Sequence, residues 1–185
     1  MKRTWQDLLQ TALSPAAVGD EPLIPFSRPP HARAPDARPE PELRGDILAR
    51  GFGEANDITI FDVRITDPDA PSQRNSDVTR LLQKHEDEKE RRYRARCMAA
   101  RQRFVPLVYT IDGVAALQAR AAATTVAKLL ATKWQQPERV VEWYVQVRLS
   151  LALIRGTSMC LRATRTAPLR LRRPTWEGGA ALALF

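Results

Sequence analysis

The chain has 185 residues, 44% hydrophobic and 27% charged, which suits a single globular core with a tail and does not suit a disordered or fibrous protein. Its 29 Lys and Arg against 21 Asp and Glu leave a net charge of +8, and 24 of those cations are arginine, the side chain whose planar fork matches phosphate, so a polyanionic partner is favoured. No apolar run reaches the ~18 residues of a membrane span, and two Cys with two His are too few for a disulfide scaffold or a Cys/His zinc module, so the sequence reads as a soluble, intracellular protein without a membrane partner.

Trp5, Leu8, Leu9 and Leu13 follow helical spacing, which predicts a short amphipathic helix over 1–13 that needs something to dock against. Eight of the 14 prolines then fall between Pro15 and Pro41, among Arg28, His31, Arg33 and Arg38, and predict an extended, proline-rich linker over 14–42. From Arg44 the texture changes. Ile47 and Leu48, a turn cluster from Gly51 to Asp57, and the β-branched run from Ile58 to Ile65 predict a β-hairpin. In its second strand Asp62 and Arg64 share one face, with Phe61, Val63 and Ile65 on the other, so Asp62 reads as an exposed-face residue whose loss would leave folding intact.

Asn75-Ser76-Asp77 supplies N-cap chemistry for a long helix from Val78 to Arg103, with Leu81, Leu82, His85, Lys89, Tyr93 and Cys97 aligned along it. Phe104 to Ile111 reads as a third strand, at an edge because of Pro106. An Ala-rich helix over 114–134 follows. Pro137 then opens another over 138–157, with an apolar stripe of Val140, Val141, Tyr144, Val147, Leu151 and Ile154. Trp134, Trp143 and Tyr144 read as core or subunit contacts, and Cys97 and Cys160 as core filling. The pattern as a whole predicts an α/β domain over 43–167, a small mixed sheet flanked by helices, with an arginine-rich tail over 168–185. Neither G-x-x-x-x-G-K nor G-x-G-x-x-G occurs, so no nucleotide cofactor is expected.

A hairpin over 46–65 would carry Asp46 and Asp62 toward one point. Two carboxylates there suit Mg²⁺, which takes one or two carboxylates together with water and phosphate oxygens, as in many nucleases. Arg64 can neutralise a phosphate, Lys89 can approach from the long helix, and Tyr93 can orient the strand. Arg91, Arg92, Arg94, Arg96, Arg101 and Arg103, with Lys89, form a large positive field for nucleic acid on the same helix.

Gly45-Asp46, Phe61-Asp62-Val63-Arg64 and Lys89-Glu90-Arg91-Arg92-Tyr93 resemble the motif of the restriction-endonuclease-like domain of site-specific non-LTR retrotransposons, a branch of the PD-(D/E)XK nucleases. The family has Pro where Gly45 stands, and a strand Lys where Arg64 stands. Arg148 to Leu153, Cys160-Leu161-Arg162 and Trp176 to Phe185 also look like the end of a retroelement polyprotein that carries a reverse transcriptase upstream, a segment for which there is no room ahead of residue 43. The resemblance, over residues 43–185, implies Mg²⁺-dependent nicking or cleavage of DNA (with RNA as the alternative polyanion) in the nucleus. Asp46 and Asp62 would be metal ligands, Arg64, Lys89 and Tyr93 would act beside them, and a reverse transcriptase encoded elsewhere would be a partner. A binding module without catalysis and an inactive retroelement remnant are the rival readings.

Overall fold

The computed structural model describes residues 1–25, 42–54, 56–73 and 77–163. The proline-rich stretch 26–41, Asn75 and Ser76 of the proposed cap, and the arginine-rich tail fall outside them. The architecture is mixed α/β, in the order α1 (Lys2–Ala12), a 3₁₀ turn (Pro15–Ala17), β1 (Val18–Asp20), β2 (Leu23–Ile24), β3 (Leu43–Arg44), β4 (Ile47–Arg50), β5 (Ile58–Thr66), α2 (Val78–Ala99), β6 (Arg103–Thr110), α3 (Leu117–Trp134) and α4 (Glu138–Ala163). A four-stranded sheet runs β1-β4-β5-β6, and β2 pairs with β3 in a separate two-stranded sheet. β4 and β5 form the expected antiparallel hairpin, with Ile47 opposite Phe61. β6 returns parallel to β5, with Pro106 beside Asp62, and lies at the sheet's edge, where a missing N–H costs least.

The period of two along β5 divides its neighbours. Phe61 enters the larger core, where Trp5, Leu8 and Leu9 of α1 meet the buried faces of α3 and α4, while Ile60 joins Tyr93, Cys97 and Phe104 under α2. Asp62 and Arg64 therefore point toward α2, as a strand with one polar face predicts, but that face is roofed by the crossover helix.

The N-terminal helix is not separate from the domain expected over 43–167, because Trp5 and Leu9 are fully buried in the main core. Nor is 14–42 wholly a linker. Val18–Asp20 pairs with Ile47–Ala49 as an edge strand, and Pro15, Pro22 and Pro25 flank these short elements rather than interrupting a ladder. Asp77 caps α2, its carboxylate accepting the Arg80 N–H at 3.0 Å. The helix stops at Ala99 rather than Arg103. Arg101 takes a left-handed φ of 55°, and the bonds Gln102 N–H to Cys97 O and Arg101 N–H to Met98 O close a Schellman turn.

α4 buries a different stripe from the expected one. Val141, Val145, Leu149 and Leu153, four apart, face the core, while Val140, Leu151 and Ile154 are exposed, with Tyr144 and Val147 half-buried. Trp134 and Tyr144 meet edge to face at 5.3 Å, and Trp143 is exposed. Cys97 is buried and Cys160 is exposed, so only the first fills core space.

Candidate active site

Gly45 and Asp46 sit where the β2–β3 pair hands the chain to β4. The Gly45 N–H donates to Pro22 O and the Glu21 N–H to Asp46 O, while the Asp46 N–H donates to Phe61 O at 2.8 Å. Phe61 already faces Ile47 in the ladder. Phe61 thus meets two successive residues, Ile47 as its ladder partner and Asp46 through its carbonyl, as in a β-bulge, a device that re-aims a side chain. The Asp46 carboxylate turns back onto β5 and accepts the Val63 N–H at 2.7 Å. Glycine at 45 has a steric reason, since a Cβ there would stand 2.3 Å from Ile60 Cγ2 and 3.3 Å from Phe61 O.

Asp62 is only 6% exposed, which overturns its reading as an exposed-face residue. Lys89, reaching down from α2, brings its Nζ to 2.5 Å from Asp62 Oδ2. That oxygen nevertheless has no partner with hydrogen-bond geometry, so Lys89 offsets its charge without aligning an N–H on a lone pair. The Tyr93 phenol stands near enough to the same carboxylate to feel its charge. Its ring is fixed by stacking on Phe104 at 4.8 Å, and Lys89 Nζ lies 5.6 Å from the ring centre.

Asp46 and Tyr93 both feel the Asp62 charge. Burial raises the Asp46 carboxyl above its ordinary pKa and the Asp62 charge adds to the rise, against the Val63 N–H bond and the ammoniums of Lys2 and Lys89. Burial also raises the Tyr93 phenol, followed by the charge of Asp62, so the hydroxyl stays protonated and able to donate.

The structure therefore sets Lys89 against Asp62 and over the Tyr93 ring, holds Asp46 on the N–H of the next strand residue, Val63, and directs Arg64 elsewhere. Arg64 Nη1 donates to Glu88 Oε2 at 2.8 Å, and the same Glu88 oxygen lies 3.5 Å from His85 Nδ1. His85 is buried and its Nε2 lies 3.3 Å from Thr66 Oγ1, a packed helix residue rather than a ligand. Of the arginines assigned to nucleic acid, Arg91, Arg92 and Arg94 lie exposed on α2. Arg96 is 7% exposed and belongs to the interior side of the helix, because it falls one turn after Tyr93 (i+3) and beside Cys97 on the face that packs on the sheet. Arg101 is in the turn after α2, and Arg103 opens β6 with its guanidinium 3.6 Å from Asp57, so neither extends the helical row.

Two residues of the site escape sequence reasoning. Lys2, which pairs with Asp20 at 2.7 Å and Glu21 at 2.8 Å, adds its charge to the field at Asp46 from far along the chain, and Glu88 is one of many acids on a charged helix. No spacing signal marks either.

No group of three or more His, Cys, Asp or Glu suited to a metal ion occurs among the described residues. The acidic donors of the site are two carboxylates. A set this small fits a cation of the Mg²⁺ kind, which keeps most of its shell as water and phosphate oxygen, and such a cation would share Asp62 with the Lys89 ammonium that meets its Oδ2. The buried Cys97 thiol, pushed up to about 11, does not suit a nucleophile. No family model, no curated protein and no solved structure matches the chain.

Proposed function

We propose that the chain is a divalent-cation-dependent DNA endonuclease-like domain of retroelement origin that nicks or cleaves strands, as its resemblance to the PD-(D/E)XK branch implies. The observation that carries this reading is the Asp46 carboxylate held on the Val63 N–H, one residue along β5 from Asp62, whose own carboxylate meets the Lys89 ammonium and whose charge reaches Asp46. Asp46 and Asp62 would hold Mg²⁺, which when bound polarises the phosphate and favours deprotonation of the attacking water. Lys89, set over the Tyr93 ring, would offset charge that builds on the phosphate oxygens. Arg91, Arg92 and Arg94 supply sequence-independent grip on the phosphate chain. Such work on chromosomal DNA is nuclear and pairs with a reverse transcriptase encoded elsewhere.

A nicking assay on supercoiled DNA, with and without Mg²⁺, tests the reading on wild type, Asp62→Ala and Asp62→Asn in parallel. Mg²⁺-dependent nicking by wild type, lost in both variants while DNA binding persists, is the expected result. The Lys89–Asp62 pair favours one rival, since a shielded ion pair can serve structure alone. Salt-sensitive DNA binding without nicking by wild type would select that binding module, and neither activity would select the remnant.

A further inference from the structure

α4 is apolar on two sides, and among the described residues the second is covered only around Tyr144, which packs on the main core and meets Trp134 edge to face. Val141, Val145, Leu149 and Leu153 are buried in the main core with α1 and α3. A second row, Val140, Tyr144, Val147, Leu151 and Ile154, advances by 4, 3, 4 and 3 residues, the spacing of a seam that faces another helix. Ile154 is 63% exposed, and Trp143 beside the row is 69% exposed. An exposed apolar row of this length beside a core-facing one marks a contact surface.

Charge identifies the occupant. Arg148, Arg155 and Arg162 recur every seven residues, the first two directly after the seam residues Val147 and Ile154, and make one edge of the seam basic. Arg148 already leans toward Asp7, at 3.7 Å. Beyond Leu151 the seam opens into a groove between the start of α1 and the later turns of α4, lined by Met1, Asp7, Arg155, Gly156 and Met159. A Cβ at Gly156 would meet nothing, which leaves the groove floor open.

We infer that this face docks an amphipathic helix of another polypeptide, with aliphatic residues at 4-3 spacing and Glu or Asp along the flank that meets the arginine edge. Helix-in-groove recognition of this kind takes its affinity from the apolar anchors and its selectivity from the flanking charge. A second copy fits less well, since each copy carries +8, and an antiparallel pair would set arginine edge against arginine edge. Residues 164–185 fit less well for the same reason, since Arg165, Arg170, Arg172 and Arg173 would approach an arginine edge.

The test uses the full chain and two three-heptad peptides that share Leu and Ile at 4-3 spacing, one flanked by Glu and the other by Lys. Binding is read by anisotropy of the labelled peptide and by the blue shift of tryptophan emission. The Glu peptide should bind at least about tenfold more tightly than the Lys peptide, and Ile154→Asp should weaken it at least about tenfold. Trp143→Phe should remove most of the blue shift while the anisotropy change remains. Near-ultraviolet dichroism of Ile154→Asp should match wild type, because the side chain is exposed. Equal binding of the two peptides, binding untouched by Ile154→Asp, or no binding of either overturns the inference. So does sedimentation that shows the chain dimerising alone through an interface that Ile154→Asp abolishes, because the occupant is then a second copy.

Discussion

The Asp46 carboxylate does the work of a strand carbonyl for Val63, taking its N–H at 2.7 Å where β4 begins. A candidate metal ligand is thus also part of the sheet. Its position is held by the bulge at Phe61 and by the Glu21 N–H on its own carbonyl, so its orientation depends on backbone rather than on a free rotamer.

Gly45→Ala tests that dependence. A Cβ 2.3 Å from Ile60 Cγ2 forces the chain away from β5, at a cost of about 1–3 kcal/mol. The denaturant midpoint should fall by that amount, and any Mg²⁺-dependent nicking should fall further than stability alone explains. An unchanged midpoint would show that the strands can spread at no cost.

The raised pKa of Asp46 has a definite sign in stability. A folded-state pKa above the unfolded value means that the fold binds the proton more tightly, so Asp46 costs stability as pH rises through the unfolded value toward the folded one. Asp46→Asn keeps an oxygen for the Val63 N–H and removes the charge. It should unfold at higher denaturant than wild type at pH 7, with the gap closing as pH falls below the ordinary carboxylate range. A gap constant over that range would place its cause outside titration.

Asp62 and Lys89 should show coupling. Lys89 is 19% exposed at its side chain, so removing either partner should cost about 1–3 kcal/mol, less than the ~3–5 of a fully shielded pair. The double variant Asp62→Asn/Lys89→Met should be more stable than the sum of the single losses implies, by at least about 0.5 kcal/mol. Additive losses in a denaturation cycle would mean the pair contributes nothing as a pair.

The arginines of α2 should separate by burial. Replacing Arg91, Arg92 and Arg94 with Ala should flatten the salt dependence of DNA binding by about 0.9 for each phosphate no longer neutralised, and leave the denaturant midpoint nearly unchanged. Arg96→Ala should do the reverse, lowering the midpoint with little change in the salt slope, because that side chain is interior. Titrations at several salt concentrations beside denaturant melts distinguish the two patterns.

Signals carried by near neighbours were legible in the sequence. The alternation of Phe61, Asp62, Val63 and Arg64 placed the acid and the arginine on one face of a strand, and the long helix with Lys89 and Tyr93 on one side followed from its spacing. Pro106 marked an edge strand because a missing N–H has few places to sit. Tertiary structure decided what those faces meet. Glu88 draws Arg64 away from the acids, the crossover of α2 converts an open strand face into a shielded one, and the bulge at Asp46 depends on an Ile60 side chain fifteen residues later than Gly45. α4 shows the same division in packing. Both of its rows are apolar, and the arrival of α1 and α3 selected Val141, Val145, Leu149 and Leu153 for the core. Periodicity specifies that a face is apolar, whereas the burial that stabilises it depends on which distant surface reaches it first.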